Sequence, residues 1–149
     1  MKTTTGIIRT FAITTLSITC FACNAQKKNI AIKELPATAQ SFIKTNFPNQ
    51  AASYIIEDKD LTSTEYDVQF MGGAEIEFDS NGNWKEVDAN KSLMPATVLP
   101  KNIAAYIAKN YKGQQVEKIE KKRRGYKVEF VNDLELEFDT NGNFLRIDD

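Results

Sequence analysis

Two segments of this 149-residue chain place oxygen-bearing side chains in an order that suggests a bound cation. Asp79-Ser80-Asn81-Gly82-Asn83 and Asp139-Thr140-Asn141-Gly142-Asn143 alternate carboxylate and amide groups, the hard ligands calcium favours. A calcium loop of the EF-hand type, however, needs glycine at its sixth position and a bidentate glutamate at its twelfth. Here glycine comes fourth, and the twelfth residue from Asp79 is Asn90. The same residues suit a hairpin better. Aspartate opens a type I turn by accepting backbone N–H bonds, and glycine takes the left-handed position that follows. The expectation is a turn with no metal.

Other chemistry is limited by what the chain lacks. It has no histidine, and its two cysteines, Cys20 and Cys23, stand near the start. Serine–histidine and cysteine–histidine nucleophiles and most zinc sites are thereby excluded. Carboxylate-based hydrolysis stays formally open through Glu75, Glu77, Glu135 and Glu137. Their alternation with apolar neighbours instead places them on the wet side of strands. The chain is expected to be no enzyme and to carry no cofactor. The run Lys121-Lys122-Arg123-Arg124 before Gly125 reads as a solvated hairpin tip.

The first 25 residues hold only Lys2 and Arg9 as charges, then an apolar stretch from Phe11 to Ala22. A basic start, a short apolar segment and the small residues Cys23 and Ala25 make a secretory signal. Cleavage after Ala25 would leave Gln26 first, because about 20 apolar residues are needed for a stable membrane span. The alternative is a lipoprotein anchored at Cys23 or Cys20. The exported chain then lacks cysteine and depends on its apolar core. Removing Lys2 and Arg9 leaves 19 − 2 = 17 basic against 20 acidic residues, a net charge of −3. Such a balance does not suit nucleic acid.

Residues 75–84, EIEFDSNGNW, recur at 135–144 as ELEFDTNGNF, with seven of ten positions identical. Tyr66-Asp67-Val68-Gln69-Phe70 recurs as Tyr126-Lys127-Val128-Glu129-Phe130, and Leu35-Pro36 as Leu99-Pro100. A tandem duplication follows, with repeat one at 34–89, a linker at 90–97 and repeat two at 98–149. The first copy has four extra residues, placed around Lys59–Thr64. Leu35, Ala39, Phe42, Ile43 and Phe47 share one helical face, as do Leu99, Ile103, Tyr106, Ile107 and Tyr111. Pro36 and Pro100 suit a first helical turn, while Pro48 and Gly113 suit helix ends.

Four strands are expected after each helix, alternating apolar and polar residues as a half-covered antiparallel sheet does. The expected class is α+β, a tandem repeat of a helix followed by a four-stranded antiparallel sheet, with the helices packed on one sheet face. A unit of about 55 residues buries little core alone, so the copies should share one sheet or pack edge to edge. One conflict remains. Pairing Phe78 with Trp84, and Phe138 with Phe144, turns Val87 and Ile147 outward unless a bulge intervenes.

Leu35-Pro36, Ala39, Phe42-Ile43 and Phe47-Pro48, then Tyr66-x-Val68-x-Phe70 and Ile76-Glu77-Phe78-Asp79 to Trp84, resemble the PepSY-like exported proteins of Bacteroidetes. These are also described as beta-lactamase-inhibitor-like. The resemblance covers about 33–149, so 26–149 would be a tandem PepSY-like domain. It implies a helix-plus-four-strand repeat, a periplasmic or surface location, and a family largely without assigned functions. In the inhibitor that gives the fold its name, the open sheet face grips an enzyme. Without cysteines after Cys23 or matching loop residues, lactamase inhibition is not carried over.

The resulting expectation is a non-enzymatic exported binding or inhibitory module that meets a protein or peptide of the cell envelope. The contact residues would be Asp67, Gln69, Glu75, Glu77, Lys127, Glu129, Glu135 and Glu137. An envelope structural or stress-associated protein without a dedicated ligand is the rival.

Overall fold

Apolar spacing sets the two helices that cover the sheet. The computed structural model describes residues 26–90 and 92–148, so the signal segment and both cysteines lie outside the described residues. Helix α1 spans Ala37–Asn46 and α2 spans Lys101–Asn110. Pro36 and Pro100 stand one residue before them, both with φ of −53°, where a missing N–H removes no helical bond. Each helix closes on an asparagine. Asn46 Nδ2 donates to the Phe42 carbonyl and Asn110 Nδ2 to that of Tyr106, both at 2.9 Å. Pro48 thus follows the first stop rather than making it.

The strands are β1 Gln26–Asn29, β2 Ala52–Lys59, β3 Thr64–Phe70, β4 Glu75–Phe78 and β5 Trp84–Asp88 before α2. After it come β6 Val116–Lys122, β7 Gly125–Phe130, β8 Glu135–Asp139 and β9 Phe144–Asp148. The expected pair of tandem helix-plus-four-strand units is not what they build. All belong to one nine-stranded antiparallel sheet in the order β1 to β9, with two helices as cover. Two pairings make it a single sheet of nine strands. β5 pairs with β6 through Glu86↔Glu120, Val87↔Ile119 and Asp88↔Lys118. β1, outside both expected units, pairs with β2 from Gln26↔Lys59 to Asn29↔Ile56. The physical reason is burial and backbone satisfaction. A small unit cannot cover enough apolar surface alone, and joining two edges pairs groups that would otherwise stay open.

One sheet face is dry. Val68, Phe70, Ile76, Phe78, Val87, Ile119, Val128, Phe130, Leu136 and Phe138 are buried along it. Both helices pack there. The Phe42 ring meets Phe78 edge-on at 5.8 Å, and the Tyr106 ring meets Phe138 likewise at 5.6 Å. Phe47 stacks on Phe70 at 5.2 Å.

The register conflict is resolved by bulges. Phe78 pairs with Trp84 and Phe138 with Phe144, but the register shifts between Glu77 and Phe78 and between Glu137 and Phe138. Lys85 and Leu145 are the extra residues. Val87 then opposes Ile76 and points inward, fully buried. Ile147 opposes Leu136 on the same side yet stays 46% exposed. The longer first hairpin appears as strands Ala52–Lys59 and Thr64–Phe70, each one residue longer than its counterpart, around a longer loop.

Candidate interaction face

The turn that resembled a cation loop is closed by its own atoms. Gly82 N donates to Asp79 O at 2.9 Å, and Asp79 N to Asn83 O at 2.8 Å. Asp79 Oδ1 accepts from the amides of Asn81 and Asn83, both at 2.9 Å, and Oδ2 accepts from Asn83 Nδ2 at 3.0 Å. Asp139 repeats this with Asn141 and Asn143. Gly82 and Gly142 take φ of 79°. The Asp79 carboxyl sits below its usual range because these bonds outweigh its partial burial. That of Asp139 is lowered chiefly by the Asn143 side chain.

Among the described residues the other sheet face carries no helix, and all eight candidate contact residues lie on it. Cross-strand pairing arranges them in two rungs. One runs Asp67↔Glu77↔Glu86↔Glu120↔Lys127↔Glu137↔Arg146 from β3 to β9. The second runs Gln69↔Glu75↔Asp88↔Lys118↔Glu129↔Glu135↔Asp148. The sequence reading found eight of these fourteen positions. It missed Glu86, Asp88, Lys118, Glu120, Arg146 and Asp148, because it drew contact residues only from the segments that became β3, β4, β7 and β8. Their alternation with Val87, Ile119 and Ile147 was the available signal.

Four carboxylates therefore face one another in succession, from Asp67 on β3 to Glu120 on β6. Like charges directly opposite destabilise a sheet. Lysines from flanking positions offset part of this. Lys85, set outward by its bulge, holds Glu77 and, at 2.8 Å, Glu65. Lys118 holds Glu86 at 2.7 Å, and Lys122 holds Glu120 at 2.5 Å. On the far side Lys127 meets Glu135 at 2.5 Å, and Arg146 meets Glu137 at 2.9 Å. Among the described residues, Asp67, Glu75 and Glu129 have no ion pair.

The electrostatics follow the layout. Partial burial pushes the Asp67 carboxyl up, with Lys27 opposing and Glu65 adding to the rise. Partial burial also raises Glu75, helped by Asp67, Asp88 and Glu86. Glu77 is raised by burial despite Lys85, and Glu129 by burial with Glu135. Bonds to Glu65 and Glu77 overcome the burial of Lys85 and hold its ammonium above the usual lysine range. The face is acidic over β3–β6 and mixed in sign over β7–β9.

The Lys121–Arg124 tip is divided. Lys121 Nζ lies 4.2 Å from the centre of the Trp84 ring, Lys122 is paired with Glu120, and Arg123 and Arg124 are exposed.

The chain is one antiparallel sheet covered by helices on one side, and it has relatives in sequence and structure. Residues 64–146 match the family described as "Putative beta-lactamase-inhibitor-like, PepSY-like". A Bacteroides vulgatus structure described as a "putative periplasmic protein" is 38% identical, with a TM-score of 0.78 over 83% of this chain and 97% of that one. A Bacteroides thetaiotaomicron structure, described as a "putative calcium-regulated periplasmic protein", is 35% identical with the same TM-score of 0.78 and coverage of 83% and 97%. A second Bacteroides vulgatus structure, "of unknown function", is 36% identical, with a TM-score of 0.78 over 83% of this chain and all of that one. No curated protein matches. The chain belongs to the PepSY-like, beta-lactamase-inhibitor-like family.

Proposed function

We propose that this protein is an exported, non-enzymatic binding module whose open sheet face docks a cationic protein or peptide segment in the cell envelope. The observation that carries this reading is the line of four carboxylates across β3–β6. Packing does not require it, and apposed like charges reduce stability. A basic partner would relieve that repulsion and be steered to the face by it. The absence of histidine, and of cysteine after Cys23, supports a role without nucleophilic catalysis. Export is supported by the signal segment at 1–25 and by relatives described as periplasmic.

The test is affinity capture from the native envelope, comparing the wild type with a variant carrying Asp67→Asn, Glu77→Gln, Glu86→Gln and Glu120→Gln. The variant should keep its stability within about 1 kcal/mol, since these are partly exposed surface charges. Capture of the partner should fall at least tenfold and weaken with added salt. Equal capture by the folded variant would reduce the face to solvated surface and favour an envelope structural role. In the same preparation, intact mass reads export: a chain beginning at Gln26 is expected, and an acylated Cys23 or Cys20 would overturn cleavage there.

A further inference from the structure

The two edges of the sheet are built differently. β1 carries Lys27 and Lys28, paired with Asp58 and Glu34 at 3.0 and 3.4 Å. Charged edges of this kind discourage strand addition. β9, at the opposite edge, instead exposes Leu145 at 56% and Ile147 at 46%. No strand pairs with its outer side among the described residues. An open edge that exposes apolar side chains, here alternating with Arg146 and Asp148, is a template for another strand.

We infer that β9 pairs with β9 of a second copy of this chain, antiparallel about a two-fold axis through Ile147. The register is selected by charge. Directly opposed residues lie on the same face, so a two-fold axis perpendicular to the sheet must pass through one residue position. An axis at Arg146 would oppose two guanidinium groups, and one at Asp148 would oppose two carboxylates. An axis at Leu145 would fall on the bulge. The axis at Ile147 places Arg146 opposite Asp148 of the second copy, twice, on the charged face. It also brings the two exposed Ile147 side chains together on the apolar face. Arg146 is 63% exposed at its side chain while it holds Glu137 at 2.9 Å, and its contact with Asp148 of its own strand is long, at 3.5 Å, so the guanidinium can turn to the second copy's Asp148, which Lys127 holds only at 3.3 Å. The second copy would extend the charged face across the axis, but the pairing does not depend on what that face binds.

Sedimentation equilibrium of the purified protein, over a range of concentrations, should give twice the monomer mass at the upper end. Arg146→Asp, which opposes two aspartates, and Ile147→Lys should each give the monomer mass with an unchanged circular dichroism spectrum. Arg146→Asp combined with Asp148→Arg restores the complementary pair and should restore the dimer. Amide exchange at Arg146–Asp148 should slow as wild-type concentration rises. A wild type that stays monomeric overturns the inference, as does a dimer indifferent to these substitutions. Protection of β9 only on adding envelope extract would assign the edge to a different protein and equally overturn it.

Discussion

At the scale of single residues, Gly82 and Gly125 show how a turn motif acquires tertiary meaning. Gly82 needs its left-handed φ of 79° for the turn, which the spacing from Asp79 already implied. The sequence held no sign that the turn tucks under a helix. A Cβ on Gly82 would lie 2.8 Å from both the Ala39 nitrogen and the Pro36 Cβ, at the start of α1. At Gly142 the nearest atoms, Asn102 Cβ and Ile103 Cγ1, are 3.1 and 3.2 Å away, tight but without the overlap met at Gly82. Gly82→Ala should therefore destabilise by more than the 1–3 kcal/mol expected of a strained backbone alone, and Gly142→Ala by about that amount. Gly125→Ala should be worse than both, since its Cβ would sit 1.8 Å from the Phe138 carbonyl oxygen in the neighbouring strand. Chemical denaturation midpoints in the order Gly142→Ala, Gly82→Ala, Gly125→Ala, from highest to lowest, are the expected result. Equal losses at the first two would mean that the turn's approach to α1 is unimportant.

At the scale of elements, periodicity carried the helices and eight strands, because each buries a stripe or face whose spacing is visible in the chain. β1 was not legible. Gln26-Lys27-Lys28-Asn29 has no apolar alternation, and it is a strand because its backbone finds β2. The bulges were legible only as a contradiction: Phe78 and Trp84 could pair, and Val87 could face inward, only with one extra residue between. That residue is Lys85, and it yields a test of the register. Deleting Lys85 leaves Trp84 opposite Phe78, Glu86 opposite Glu77 and Val87 opposite Ile76, the pairing already present. The deletion should give a cooperatively folding protein that loses the Lys85 bonds to Glu65 and Glu77, about 1 kcal/mol for partly exposed ion pairs. Deleting Glu137 removes a paired residue of β8, because the bulge opposite carries its extra residue, Leu145, on β9. Either Leu136 or Phe138, both buried, must then turn to the charged face. Thermal unfolding should show a sharp transition for the first deletion and none for the second.

At the scale of the whole molecule, the candidate face was legible residue by residue but not as a continuous surface. The eight expected contact positions became two rungs only once β5 met β6. The carboxylates of that face and those of the turns then pull acid stability in opposite directions. Asp67, Glu75, Glu77 and Glu129 have raised folded-state values, chiefly through partial burial. A raised value means that the folded state favours the protonated form. Their contribution is fully present below the unfolded values, about 4 for both residue types, and is lost as pH rises through the folded ones. Asp79 and Asp139 have lowered values, held there by the turn's hydrogen bonds. Their contribution is present above about pH 4 and is lost as pH falls through the lowered ones. The melting temperature should therefore rise as pH falls from 7 toward about 4.5, then drop below about 3.5 as the turn aspartates protonate. Substituting Asp67→Asn, Glu77→Gln, Glu86→Gln and Glu120→Gln together should flatten the rise and leave the acid drop in place. Calorimetry across that range in low salt, where surface charges are least screened, is the measurement. A wild-type melting temperature that falls steadily from pH 7 would show that the lysines already neutralise the face, removing the repulsion on which the proposed cationic partner depends.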